Sequence, residues 1–183
     1  MHKTFKYHTL VLKRRIVFNY SKWIFSFIGS FASISIIFTF HRWIGNYTHQ
    51  DTVMLIGSLG ASAVIMFGTS HSLFALPRNL IGGHVISAVI GVTIYKMMNC
   101  QEYIWISSSL AVSLSLVTMQ ITRTIHPPAG ATALIAIIGT NKIHSLGYTY
   151  IISPVLSGAL ILLGVHLLMK YILVNFKINK SKL

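Results

Sequence analysis

The stretch His126-Pro127-Pro128-Ala129-Gly130-Ala131-Thr132-Ala133-Leu134 interrupts a largely apolar chain with two consecutive prolines. Proline fixes its own φ, has no N–H to donate and pushes the preceding residue out of the helical region. One helix must therefore end near Arg123–Ile125, just before this point, and another begin at it. If the flanking apolar runs are membrane segments, the freed backbone groups must be covered by protein or line a water-filled cavity, because lipid offers them no partner. The break thus restricts the fold to membrane architectures with an interruption in their interior.

Composition supports the membrane setting. The chain is 54% hydrophobic and 9% charged, whereas soluble domains carry about 25% charged residues. With about 20 residues per crossing, the length suits an all-α, polytopic transmembrane helical bundle of about six segments without a separate soluble domain. Apolar segments fall at residues 23–40, 52–70, 80–98, 103 to about 119, 127–140 and 148–174. Trp23, Trp43, Tyr47, Tyr103, Trp105, Tyr148 and Tyr150 cluster at their edges, as an interfacial belt requires. The fifth segment would rise only about 21 Å against a hydrocarbon core of about 30 Å. If it and its counterpart only dip in and return, the chain has four full spans; otherwise it has six.

There are 15 Lys and Arg against 2 Asp and Glu, a net charge of +13. Much of the excess lies at the ends, at Lys3, Lys6, Lys13, Arg14, Arg15 and Lys22, then at Lys170, Lys177, Lys180 and Lys182. That pattern suits cytoplasmic termini rather than a nucleic-acid-binding face, and a bacterial inner (plasma) membrane is the expected location. Asp51 and Glu102 are expected in loops on the opposite side. A lone cysteine, Cys100, excludes an intramolecular disulfide or a cysteine metal cluster. No removable signal peptide is expected. Residues 1–22 read either as a basic interfacial helix or as a solvated tail that sets topology.

The chain also shows an internal echo. Gly60-Ala61-Ser62-Ala63-Val64 aligns with Gly130-Ala131-Thr132-Ala133-Leu134, and Val85-Ile86-Ser87-Ala88 with Val155-Leu156-Ser157-Gly158, both at an offset of 70. This predicts two three-segment membrane repeats, residues 23–98 and 99–174, between a basic N-terminal segment (1–22) and a basic tail (175–183). Three crossings per repeat would invert the second copy, a transporter signature whose site lies at the repeat interface.

The second helix after the break should open near Pro127 or Pro128, leaving N–H groups of Ala129 and Gly130 unpaired at the positive end of its dipole. Ala129, Gly130 and Ala131 have little side chain, so a small anion could reach that backbone. A proline kink packed on a neighbouring helix is the competing reading. Arg123 either faces the anion or snorkels to the interface, and His126 either moves a proton or only braces the break. A second constellation, Pro77-Arg78-Asn79 followed by Gly82-Gly83-His84, interrupts the first half, with Asn79 as a helix cap. Offset 70 pairs Gly57 with Pro127. The candidate binding residues are His126, Pro127, Pro128, Ala129, Gly130, Ala131, Thr132, Arg123, Arg78, Asn79, Gly83, His84, Gly60 and Ser62. No catalytic residue, metal site or cofactor is expected.

These two constellations resemble the HPP family of integral membrane proteins over roughly residues 22–173. The chain departs from the family pattern upstream of Pro77. Ser72-Leu73-Phe74-Ala75-Leu76 stands where Ser-Pro-Leu-Ala-Gln is usual, which could alter a substrate contact or the loop shape. The resemblance implies a transporter-like protein, with relatives linked to nitrite transport. The expected function is therefore transport of a small monovalent inorganic anion, nitrite first, with the lipid bilayer and a possible second copy of the chain as partners. An anion channel and a non-transporting structural or assembly subunit are the alternatives.

Overall fold

The computed structural model describes residues 20–45, 49–98, 100 and 102–180. Those residues form helices and connecting turns. Helix α1 is Tyr20–Gly45 and α2 is His49–Ala63, which runs on into a π-helical turn, Val64–Gly68. A 3-10 turn, Leu73–Ala75, leads into α3, Pro77–Met97. Helix α4 is Ile104–Ile121, α5 is the short Ala129–Ile138, and α6 is Asn141–Leu146. A π-helical turn broken at Ser153, Ile151–Leu156, opens the last long helix α7, Ser157–Lys180. Among the described residues, five helical stretches are long and apolar enough to cross a membrane, and α5 is a shorter apolar helix. The result is a polytopic helical bundle.

The connectivity is legible from contacts. Ser21, Lys22, Ser70, His71 and Lys170 border one cavity of about 340 Å³, which places the start of α1, the end of α2 and the last turns of α7 on one side. Helix α5 climbs alongside α3. His126 meets Gly83, Ala133 and Ala136 meet Gly91, and Gly147 meets Lys96 one after another along the same direction. The short segment and the turns that follow it therefore run along α3 rather than doubling back on themselves. Against α2 it runs antiparallel, with Ser62 beside His126, Ser58 beside Thr132 and Asp51 beside Thr140. Helix α1 packs on α7, and α4 packs on α3 and α5.

Apolar clusters flank this central crossing. Phe25, Ile37, Met66, Phe67, Leu80 and Leu162 join α1, α2, α3 and α7. Leu55, Ala88, Val92, Ile135 and Val155 fill the space toward the other end. Phe27, Phe31, Trp105, Leu116 and Ile121 remain exposed, as lipid-facing surfaces of a membrane bundle do.

Three local expectations are revised. Asp51 is not in a loop: it sits in the first turn of α2, fully buried, and accepts a hydrogen bond from the Thr140 hydroxyl. Helix α4 stops at Ile121, earlier than the proline rule alone suggests. Its end is a Schellman motif in which the Arg123 N–H bonds Gln120 O at 3.2 Å and the Thr124 N–H bonds Met119 O at 2.9 Å. Arg123 occupies the left-handed position, at φ 56°, that glycine usually takes there. Asn79 is not a cap but the third residue of a helix whose N-cap is Leu76 and whose first residue is Pro77.

Candidate functional site

The histidines of the two constellations meet where α2, α3 and α5 cross. Each arrives by a local device. The Schellman turn reverses the chain after α4, and the non-helical residues Thr124–His126 then carry His126 against α3. Gly82 and Gly83 make room for that approach: a Cβ on Gly83 would lie 2.7 Å from His126 Cβ, and one on Gly82 would lie 2.8 Å from Thr124 Cγ2. His84 follows on α3. From α2, Ser58 and Ser62 share one face of the helix because they are four residues apart.

Ser62 Oγ lies 2.9 Å from His84 Nε2 and 2.9 Å from His126 Nε2. His84 Nδ1 is 2.7 Å from Thr132 Oγ1, which is 2.8 Å from Ser58 Oγ. Ser58 Oγ also reaches the Pro128 carbonyl, at 3.0 Å. At the opposite end, His126 Nδ1 is 2.9 Å from the Phe74 carbonyl. The imidazole centroids are 5.1 Å apart and tilted by 55°. Ser62, His84 and His126 have no exposed surface. The Tyr150 hydroxyl donates to the Thr132 carbonyl at 3.0 Å and closes the group from the α7 side. A carbonyl only accepts, so His126 Nδ1 carries a proton.

The opening of α5 differs from a bare helix N-terminus. The Ala129, Gly130 and Ala131 N–H groups donate to the carbonyls of His126, Pro127 and Pro128 at 2.9, 3.1 and 3.1 Å. The double proline folds into a tight turn that satisfies the donors expected to be free, so the resting site presents polar side chains rather than backbone N–H groups. Thr132 is part of the hydrogen-bonded cluster, and Ala129 and Pro128 are buried beside it.

The other candidates lie around this centre. Arg78 is exposed, and its Nη2 donates to the Arg123 carbonyl at 2.9 Å, bracing the left-handed turn. The Arg123 side chain is exposed too, so both guanidinium-bearing residues sit at the rim. Asn79 Nδ2 ties the 3-10 turn to the break through Leu73 O and Ile125 O, both at 3.0 Å. Gly60 and Gly130 do not face each other: a Cβ on Gly60 would meet nothing within 4 Å, and one on Gly130 would meet Val112 of α4 at 3.8 Å. Gly57 is exposed. The α2 contribution therefore comes from Ser58 and Ser62.

The transmembrane-region model of HPP proteins matches residues 16–177. The chain belongs to the HPP family. Two transmembrane proteins of Dictyostelium discoideum are similar to it, at 42% and 39% identity over 139 residues. Each match covers 75% of this chain, but only 48% and 44% of the relatives. The HPP chain thus spans about half the length of the curated relatives it matches. No solved structure matches it.

Within this HPP protein, the sequence pattern pointed to His84, His126, Ser62 and Thr132 but missed Ser58, Tyr150 and the Phe74 carbonyl. A signal for Ser58 was present. Asp51, Ser58 and Ser62 recur at helical spacing on a largely apolar segment, and all three are buried and bond side chains between residues 126 and 140. Nothing in the sequence marks Phe74, whose contribution is a backbone oxygen. The Leu73-Phe74 departure from the family pattern changes side chains while that oxygen still meets His126.

Proposed function

We propose that this protein carries a small monovalent anion across the membrane, with nitrite the first candidate. The observation that carries the reading is the cluster of Ser58, Ser62, His84, His126 and Thr132, fully or almost fully buried where two small-residue helices cross in an apolar bundle. Ionisable groups at such positions are costly, and their usual use is to handle a substrate or ion. The pairing of α1 with α7 and of α4 with α3 around the α2–α5 crossing is the arrangement that two inverted halves produce.

The described conformation is closed. The void beside Ser58, His84 and Thr132 is about 10 Å³, too small for a polyatomic anion. Passage therefore requires α5 to part from α2, exchanging their mutual hydrogen bonds for bonds from the same O–H and N–H groups to the anion. The π-helical turns at Val64–Gly68 and Ile151–Leu156 sit next to the moving contacts, and such turns recur at functional sites. Arg78 and Arg123 at the rim attract the anion, and the basic ends orient both termini to the cytoplasm.

The test is flux into proteoliposomes of nitrite, nitrate, formate and chloride, with His126→Gln as the control variant. Nitrite uptake above empty vesicles that His126→Gln abolishes is the expected result. Absence of flux for all four ions overturns the reading and leaves the cluster as a structural tie. Single-channel currents that ignore a pH gradient would make it a channel.

A further inference from the structure

We infer that Ser58, Thr132, His84, Ser62 and His126 form a proton relay. The contacts that link these five residues are all made in two states, which differ by one proton. The inference follows from counting donors and acceptors. His126 Nδ1–H is fixed by the Phe74 carbonyl. In a neutral ring Nε2 then has only a lone pair, so the Ser62 hydroxyl must donate to it. Ser62 has spent its one hydrogen, so His84 Nε2 must be the donor in its own contact with Ser62. His84 Nδ1 is then an acceptor and takes the Thr132 hydrogen, while Thr132 accepts from Ser58. Every hydrogen points from Ser58 toward Phe74. The two histidines hold opposite tautomers, Nδ1–H in His126 and Nε2–H in His84.

One added proton reverses the whole chain without leaving a contact unmade. A proton delivered to Ser58 Oγ forms an O–H bond directed at the Pro128 carbonyl, 3.0 Å away. The former Ser58 hydrogen passes to Thr132 Oγ1, and the Thr132 hydrogen to His84 Nδ1. The His84 Nε2 hydrogen passes to Ser62 Oγ, and the Ser62 hydrogen to His126 Nε2. One O–H or N–H bond breaks for each that forms, and the net change is a doubly protonated His126. Opening of the Phe74 contact lets water at the exposed Phe74–Pro127 rim take the Nδ1 hydrogen and completes the transfer. Return of a proton to His126 Nδ1 drives the same exchanges backward and restores the starting state, because rotation alone cannot carry a ring hydrogen from one nitrogen to the other.

The ends of the relay are suitably placed. The void of about 10 Å³ borders Ser58, Thr132, His84 and Tyr150, near the lower limit of roughly 10–15 Å³ that one water needs. The groups facing the pair are hydroxyls from α2 and α5, the Asn79 amide from α3, the Tyr150 hydroxyl from before α7 and the Phe74 carbonyl. The nearby charges are the rim residues Arg78 and Arg123, while Asp51 lies farther along α2 and is bonded to Thr140. Both guanidinium groups disfavour a lasting cation at His126, which suits a proton in transit. The relay stands apart from the anion reading, because its test needs no anion.

The test is nitrogen NMR on the full chain in lipid nanodiscs, with histidines labelled at both ring nitrogens and assigned by His84→Gln and His126→Gln. At alkaline pH, His126 is expected as the Nδ1–H form and His84 as the Nε2–H form. On acidification, the second proton on His126 and the switch of His84 to Nδ1–H are expected at the same pH. Ser62→Ala should uncouple the two changes, and Ser62→Thr, which keeps the hydroxyl, should restore them. Equal tautomers at alkaline pH overturn the relay. So does a His84 that keeps its tautomer while His126 charges, as when the Ser62 hydrogen merely turns to the Ser58 carbonyl, 3.1 Å away. A His126 that stays singly protonated until the protein unfolds also overturns it.

Discussion

Gly83→Ala should destabilise this protein, while the same change at Gly57 should not. The added methyl at position 83 would stand 2.7 Å from His126 Cβ, 3.1 Å from the Thr124 carbonyl and 3.3 Å from Met119 Sδ, where ordinary contact begins at 3.4 Å. His126 cannot simply retreat, because its ring is held at both nitrogens, each 2.9 Å from its partner. Overpacking of this kind costs about 1–3 kcal/mol. Replacing glycine inside a helix returns about 0.5–1 kcal/mol. The net loss therefore centres on about 1 kcal/mol, within about 0–2.5, which corresponds to a fall in Tm of about 2–4 °C for a chain of this size. At Gly57 a Cβ meets nothing within 4 Å, so only the helical gain remains. Thermal unfolding of both variants in one detergent, followed by tryptophan fluorescence, measures the contrast. A Gly83→Ala protein at least as stable as the parent would refute the close packing of α3 on the break.

Three further outcomes follow from the same contacts. Ser62→Ala leaves Nε2 of both His84 and His126 without their hydroxyl partner and should cost about 1–3 kcal/mol for each nitrogen left unpaired, read as a lower midpoint in chemical denaturation. Tyr150→Phe removes the 3.0 Å bond to the Thr132 carbonyl and should cost about 0.5–1.5 kcal/mol for that bond; the same titration checks it. Arg123→Gly relieves a left-handed residue and should raise stability by about 1 kcal/mol while slowing nitrite entry; a stabilised variant with unchanged flux would remove the rim charge from the transport reading.

The long helices were legible because their apolar runs are local and end at charged, aromatic or proline residues. The break was legible for the same reason, since the geometry of His126-Pro127-Pro128 follows from the prolines themselves. The satisfied start of α5 was not. That the three N–H groups turn back onto residues 126–128 depends on the turn those prolines adopt, and proline chemistry permits several. Asp51 was misplaced because an acid near an apolar boundary reads as solvent-facing, whereas its partner Thr140 is 89 residues away. Ser58 joins the site through the register of α2 on α5, and Tyr150 through the packing of the turn before α7 against Thr132, both set by tertiary contacts. The offset-70 echo aligned Gly60 with Gly130, yet the side chains that bond lie beside those glycines, at Ser58, Ser62 and Thr132.

Helix α5 has 10 residues, about half of what a bilayer-spanning helix requires. Lipid thickness cannot fix its depth, and a segment so short is a poor substrate for insertion by itself. Its position is instead gauged by rungs along α2, from Asp51–Thr140 through Ser58–Thr132 to Ser62–His126. During biogenesis α2 and α3, both earlier in the chain, are already in the membrane when α5 emerges. They form the mould into which it settles, so the polar seam also serves as a ruler for the placing of α5 during assembly.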